Sequence, residues 1–188
     1  MNKDYLLALP IPMKENILDT IDTHIKDMQQ IHNKVFVMRL DVHAKDNAEF
    51  SQFNQRLMQS EKRTGIDSAY VAVAEKNSQG EPHYHEVLLL DGSKTQSIVK
   101  HVKKATQIMN NLRGLPSNLN NGLIDDCNDS DNPQPNGIML RRGDTDITNL
   151  QDAYRQCSYL AKEAQKEGFD KGDRKVFASQ LKSKKKED

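Results

Sequence analysis

The stretch Glu81-Pro82-His83-Tyr84-His85-Glu86-Val87-Leu88-Leu89-Leu90-Asp91-Gly92 reads as a strand whose apolar run, Val87 to Leu90, is preceded by two imidazoles two residues apart. Side chains alternate along a strand, so His83 and His85 point to one face. That is ligand spacing for one divalent metal ion, offered from a rigid element. The same pair on a half-exposed strand also occurs as plain solvated surface, so its meaning turns on what the rest of the chain brings beside it.

Outward from this stretch the period of two recurs. Ala69 to Glu75 forms a short strand, Lys76 to Pro82 a polar turn containing Gly80, and the histidine strand pairs back on the first. Lys34 to His43 places Phe36, Met38, Leu40 and Val42 on one face and Val35, Val37, Arg39, Asp41 and His43 on the other, which turns polar toward its end. Between and before these strands the period changes to that of a helix. Ile17, Leu18, Ile21, Ile25 and Met28 stripe a helix from about Lys14 to Ile31. Asp46 and Glu49 form a capping box ahead of Phe50, Phe53 and Leu57. Gly92 and Ser93 open a helix carrying Ile98, Val102, Ala105, Met109 and Leu112, which Gly114 and Pro116 end.

Leu115 to Asn136 is rich in Asn, Asp, Ser, Pro and Gly and reads as a long loop, a flap or a substrate-binding insertion. Ile138 to Arg142 is a fourth strand. Thr148 caps a last helix from about Asn149 to Lys166. The order predicts an α+β fold: a ferredoxin-like split βαβ antiparallel sheet with two helices on one face and an additional C-terminal helix. The other face stays open for that helix and a substrate. The first and third strands are then central neighbours, which brings Arg39 and Asp41 near the histidine pair.

The last helix supplies a second candidate. At about 100° per residue, Leu150, Ala153, Tyr154, Cys157, Leu160, Ala161 and Ala164 share its core face, so Tyr154 reads as packing. Tyr159 points elsewhere, with Arg155 one turn before it and Lys162 one turn after. Two cations beside a phenol favour the phenolate that a tyrosine nucleophile requires.

Composition narrows the class. The 188 residues are 36% hydrophobic and 29% charged, with 27 basic and 27 acidic side chains, so the total charge announces no polyanion partner. Its distribution says more: Lys94, Lys100, His101, Lys103, Lys104 and Arg113 crowd one region, Arg141 and Arg142 another, and Lys182 to Lys186 a third, patches that can bind phosphates under a neutral total or serve as solvated faces, the better reading for the tail. Two cysteines, Cys127 and Cys157, make no metal motif and fit a reduced, cytoplasmic protein. The N-terminal apolar run is too short for a signal peptide, and no segment has the length or apolarity to span a bilayer, so no membrane partner is expected. A phosphate-binding Gly-x-x-x-x-Gly-Lys-Ser/Thr stretch is absent, which excludes an NTP-driven motor of that kind.

A His-x-His strand followed by a late Tyr-x-x-Lys helix resembles the HUH endonucleases, the superfamily of rolling-circle replication initiators and relaxases. Val35-Phe-Val-Met-Arg-Leu-Asp41-Val-His43, Pro82-His-Tyr-His-Glu-Val-Leu-Leu-Leu90 and Ser158-Tyr-Leu-Ala-Lys162 look like the YagK/YfjJ-type proteins, replication initiators of filamentous phages and related prophage elements. The resemblance covers roughly residues 30 to 165, with residues 1–33 as a helical extension, 34–168 as the endonuclease domain and 169–188 as a basic, disordered tail. It implies an RRM-like sheet and a metal-dependent enzyme that nicks and rejoins single-stranded origin DNA. In that scheme His83 and His85 hold Mg²⁺ or Mn²⁺, Tyr159 is the nucleophile and Lys162 orients it or stabilises the transition state. The third metal ligand is Glu75, from the adjoining strand, with Asp41 as the second candidate. Arg39, Arg141, Arg142 and Arg155 are candidate DNA contacts, and a host helicase and polymerase are expected partners. Two rival readings stand beside this one: a DNA-binding or regulatory prophage protein that keeps the fold without cleavage, and a metal-dependent hydrolase that does not use the tyrosine.

Overall fold

The computed structural model describes residues 15–76, 79–127, 136–143, 147–161 and 174–180, with the side chains of residues 147 and 159 outside that description. Along the chain come α1 (Glu15–Ile31), β1 (Lys34–Val42), α2 (Asn47–Arg63), β2 (Ser68–Lys76), β3 (Pro82–Asp91), α3 (Ile98–Leu112), β4 (Ile124–Asp125), β5 (Ile138–Arg141), α4 (Ile147–Ser158), a 3-10 turn (Tyr159–Ala161) and β6 (Val176–Ala178). The fold is α+β, with four helices and an open six-stranded sheet among the described residues. Each described strand pairing is antiparallel.

The sheet runs β4-β1-β3-β2-β6, with β5 pairing β1 as well. β1 and β3 are central neighbours, in the register Asp41 opposite His85 and Arg39 opposite Val87. β2 flanks β3 on its other side, with Glu75 opposite His83. Because the period is two, this register divides the residues between two layers. Phe36, Met38, Leu40, Val42, Tyr84, Leu88 and Leu90 pack against Phe50, Phe53 and Leu57 of α2 and Ala105 and Met109 of α3. Val35, Val37, Val71, Val73, Val87 and Leu89 pack against Ile17, Ile21, Ile25 and Met28 of α1 and Ala153, Tyr154 and Cys157 of α4.

Four differences from the sequence reading have local causes. The second sheet face is not left to the last helix and a substrate: α1 lies on it as well, since its apolar stripe needs a partner surface. The third helix starts at Ile98 rather than Gly92, because Ser97 is its N-cap and accepts from Lys100 N, while Ser93 N donates to Asp91 Oδ1 in a preceding turn. α4 ends at Ser158, whose Oγ donates back to Arg155 O at 2.8 Å, and the chain tightens into the 3-10 turn. Tyr159 thus lies past the helix expected to carry it. Finally, the stretch expected to be a disordered tail contains β6, which pairs with β2 and buries Phe177 against Phe50 and Tyr84. Among the described residues no helix is long and apolar enough to cross a membrane.

Candidate metal centre

The valines of β1 and β3 that meet α1 and α4 give way, farther along the same face, to Arg39, Asp41 and His43 on β1 and to His85 and His83 on β3. Asp41, His83 and His85 each offer one ligand atom, and these atoms all lie within 4.8 Å of one another. His85 is gripped from both sides: Nδ1 donates to Asp41 Oδ1 at 2.6 Å and Nε2 to Glu75 Oε2 at 3.1 Å. Both partners are carboxylates, which only accept, so the ring carries both protons. Burial alone would lower the pKa of His85, but the two carboxylates outweigh it and hold it at about 9. Burial works to raise the pKa of Asp41, and the contacts with His83 and His85 and the charge of Arg39 prevail, keeping this carboxyl well below the usual range.

The His83 ring stacks on His43, with centroids 4.4 Å apart, and lies tilted to the His85 ring at 4.5 Å. Its buried Nε2 makes no hydrogen bond among the described residues and faces Asp41 Oδ2 at 3.6 Å. Glu75 Oε1 is likewise buried without a hydrogen-bond partner among them. Unpartnered buried polar atoms beside a cluster of two imidazoles and a carboxylate are what a cation would satisfy. The donor set therefore fits a divalent metal. From the sequence, Glu75 stands ahead of Asp41 as third ligand. Geometry places Asp41 in the ligand group and Glu75 behind His85.

Three neighbours of the cluster have no site role on the sequence alone. His43, at the end of β1, shares the face of Arg39 and Asp41; burial and the charge of His83 lower its pKa. Its place on that face was legible in the alternation. Cys127 follows β4 and is the one non-glycine residue at positive φ among the described residues. Its N–H donates to Asp125 Oδ1 at 2.8 Å, and burial, with the Asp41 carboxylate close by, holds the thiol far above its ordinary range. Asn136, in the loop before β5, hydrogen-bonds the backbone of Arg39. Nothing local in the sequence marks either loop residue.

Candidate DNA contacts separate by what already holds them. Arg39 Nη2 lies 3.6 Å from Asp41 Oδ1, and the side chain is largely buried at the centre. Arg142 donates from Nε to Gln29 O at 2.7 Å and from Nη2 to Gln30 O at 2.6 Å, capping the last carbonyls of α1. Arg141 and Arg155 are exposed. Tyr154 donates to Asp22 Oδ1 at 2.5 Å, and burial with this bond raises its phenol far above the normal range, in keeping with a packing role. The Tyr159 backbone opens the 3-10 turn beside the buried Leu160 and Ala161. Its side chain, and Lys162 altogether, lie outside the described residues.

The family model for the replication-associated protein ORF2 matches residues 37–168. That span contains Asp41, Glu75, His83, His85 and Tyr159. No curated protein and no solved structure matches the chain.

Proposed function

The chain belongs to the replication-associated protein ORF2 family, and from that membership we propose that it is a metal-dependent endonuclease that nicks and rejoins single-stranded DNA to start rolling-circle replication of a phage, prophage or plasmid element. The observation that carries this reading is the group Asp41, His83 and His85, set on two paired strands within the matched span. One carboxylate with two imidazoles suits Mn²⁺ somewhat better than Mg²⁺, which prefers oxygen ligands throughout. When bound, the ion supplies polarisation of the scissile phosphate and offsets the charge that builds on its oxygens. Glu75, behind His85, orients the ring as outer carboxylates do in metal sites.

Tyr159 serves as the nucleophile in this proposal. Its phenolic oxygen attacks phosphorus in line; the new O–P bond forms as the P–O3′ bond breaks. The phenolic proton passes to solvent and the departing 3′ oxygen takes one up. A 5′-phosphotyrosine and a free 3′-OH result, the latter able to prime synthesis. Lys162 steadies the phenolate or the transition state. Arg141 and Arg155 contact phosphates of the strand, and a host helicase and polymerase act on the opened origin.

The direct test is a denaturing gel of protein incubated with a pooled single-stranded DNA library and Mn²⁺. A covalent adduct that requires both the metal and Tyr159 is the expected result. Cleavage without an adduct, equally fast in Tyr159→Phe, would replace this reading by a hydrolase that uses the histidines alone.

A further inference from the structure

On the edge of β1 that faces away from β3, the strand is served in pieces. β5 pairs Lys34 to Val37 and β4 pairs Asp41 and Val42, leaving Arg39 between them with no strand opposite among the described residues. The side chain of Asn136 fills that gap. Its Oδ1 accepts from Arg39 N at 2.8 Å and its Nδ2 donates to Arg39 O at 2.8 Å, the two bonds a paired strand residue would make. Nδ2 also donates to Asp126 O, just past β4. Oδ1 accepts a second bond from Gln156 Nε2 of α4 at 3.1 Å. Both donors and both acceptor sites of the carboxamide are thereby used, at 3% exposure.

These four bonds join three segments. Arg39 lies two residues before Asp41 and beside it in space. Asp126 follows Asp125, the register partner of Asp41. Gln156 is three residues ahead of Tyr159, on the last turn of α4. We infer that Asn136 is a positioning residue, which holds the segment leading to Tyr159 at a fixed separation from the metal-ligand strand. The inference rests on the nucleophile reading above and deepens it. Aspartate cannot donate the two bonds, glutamine is one methylene too long, and alanine makes none. In-line attack is sensitive to displacements of about 1 Å, which cost on the order of 10²-fold in rate.

The test is single-turnover adduct formation on the single-stranded pool at saturating Mn²⁺ and DNA, alongside calorimetric Mn²⁺ binding and DNA anisotropy, for wild type, Asn136→Ala and Gln156→Ala. Gln156→Ala cuts only the link to α4 and keeps the Arg39 pairing, so it stays informative if Asn136→Ala folds poorly. The expected outcome is a fall of about 30-fold or more in the saturated rate for Asn136→Ala and about 5-fold for Gln156→Ala, with both dissociation constants for Gln156→Ala within about twofold of wild type. An unchanged saturated rate in Gln156→Ala, or a loss confined to Mn²⁺ or DNA affinity, overturns the positioning role while leaving the nuclease reading intact. An adduct that persists in Tyr159→Phe, or no wild-type adduct at all, overturns the nucleophile reading and this inference with it.

Discussion

Asp41 and His85 face each other across the β1–β3 ladder, and the 2.6 Å bond between Oδ1 and Nδ1 makes a central strand pairing and the candidate metal centre one object. The bond also presents any incoming cation with an imidazole that is still protonated.

Mn²⁺ binding must therefore release a proton from His85, and its apparent affinity rises by up to about tenfold per pH unit as pH climbs toward 9. Asp41→Asn weakens Mn²⁺ binding more than Glu75→Gln, for which a loss of roughly 10-fold is typical of an outer partner. Calorimetric titration ranks the two variants. A larger loss in Glu75→Gln would mean that Glu75 turns inward as the ligand.

The two tyrosines of the late segment should part company. Tyr154→Phe removes the bond to Asp22 and lowers stability by about 1–2 kcal/mol while adduct formation survives. Tyr159→Phe abolishes the adduct and leaves single-stranded DNA affinity unchanged. Thermal melts and the denaturing gel, run on both proteins, check the split.

Glu86 sits on β3 next to His85, but on the opposite sheet face, where burial outweighs an opposing effect from Asn54 and pushes its pKa up to about 8. The folded state holds a proton that the unfolded chain gives up near 4.5, so stability falls as pH rises from about 4.5 to 8, by on the order of 1 kcal/mol per unit. Glu86→Gln should remove that part of the fall and melt higher than wild type at pH 8. Parallel pH–melting curves for the two proteins would sink the assignment.

Arg141 and Arg142 adjoin in sequence yet should behave differently. Arg142→Ala loses the cap on α1 and lowers stability by about 1 kcal/mol, with no change in the salt dependence of DNA binding. Arg141→Ala leaves the melt alone and reduces the salt slope for single-stranded DNA by about 0.7. The comparison is made by anisotropy across a salt series.

Phe177→Ala should cost about 3–5 kcal/mol, because this side chain is 2% exposed and meets Phe50 edge-on at 5.2 Å between ring centroids. A chemical-denaturation midpoint matching wild type would show that β6 contributes nothing to the fold.

Where the sequence was readable, the signal was periodic. The alternation through Lys34–His43 and Pro82–Asp91 sorted Phe36, Met38 and Leu40 from Arg39 and Asp41, and the sheet keeps that sorting. Helices α1 to α3 were legible because their stripes repeat over several turns. β6 was not, since three residues in a polar, basic stretch carry too little pattern, and its burial depends on Phe50 and Tyr84 far away in the chain. Asn136 was equally hidden: its role is set by a gap between two strand partners of β1, and no local residue preference encodes a gap. The order of Glu75 and Asp41 around His85 depends on side-chain reach across the ladder, which spacing alone leaves open.

The face of β1 and β3 that begins as core, with Val35, Val37, Val87 and Leu89, ends as chemistry, with Asp41, His83 and His85. A one-residue slip of either strand would carry its imidazoles or its carboxylate to the layer of Phe50 and Phe53 and bring apolar side chains out in exchange. Such a chain would fail to fold before it failed to bind metal. Well-folded molecules are therefore uniformly assembled at the candidate metal centre, and in any preparation the fraction of protein that titrates with Mn²⁺ should equal the fraction that melts cooperatively.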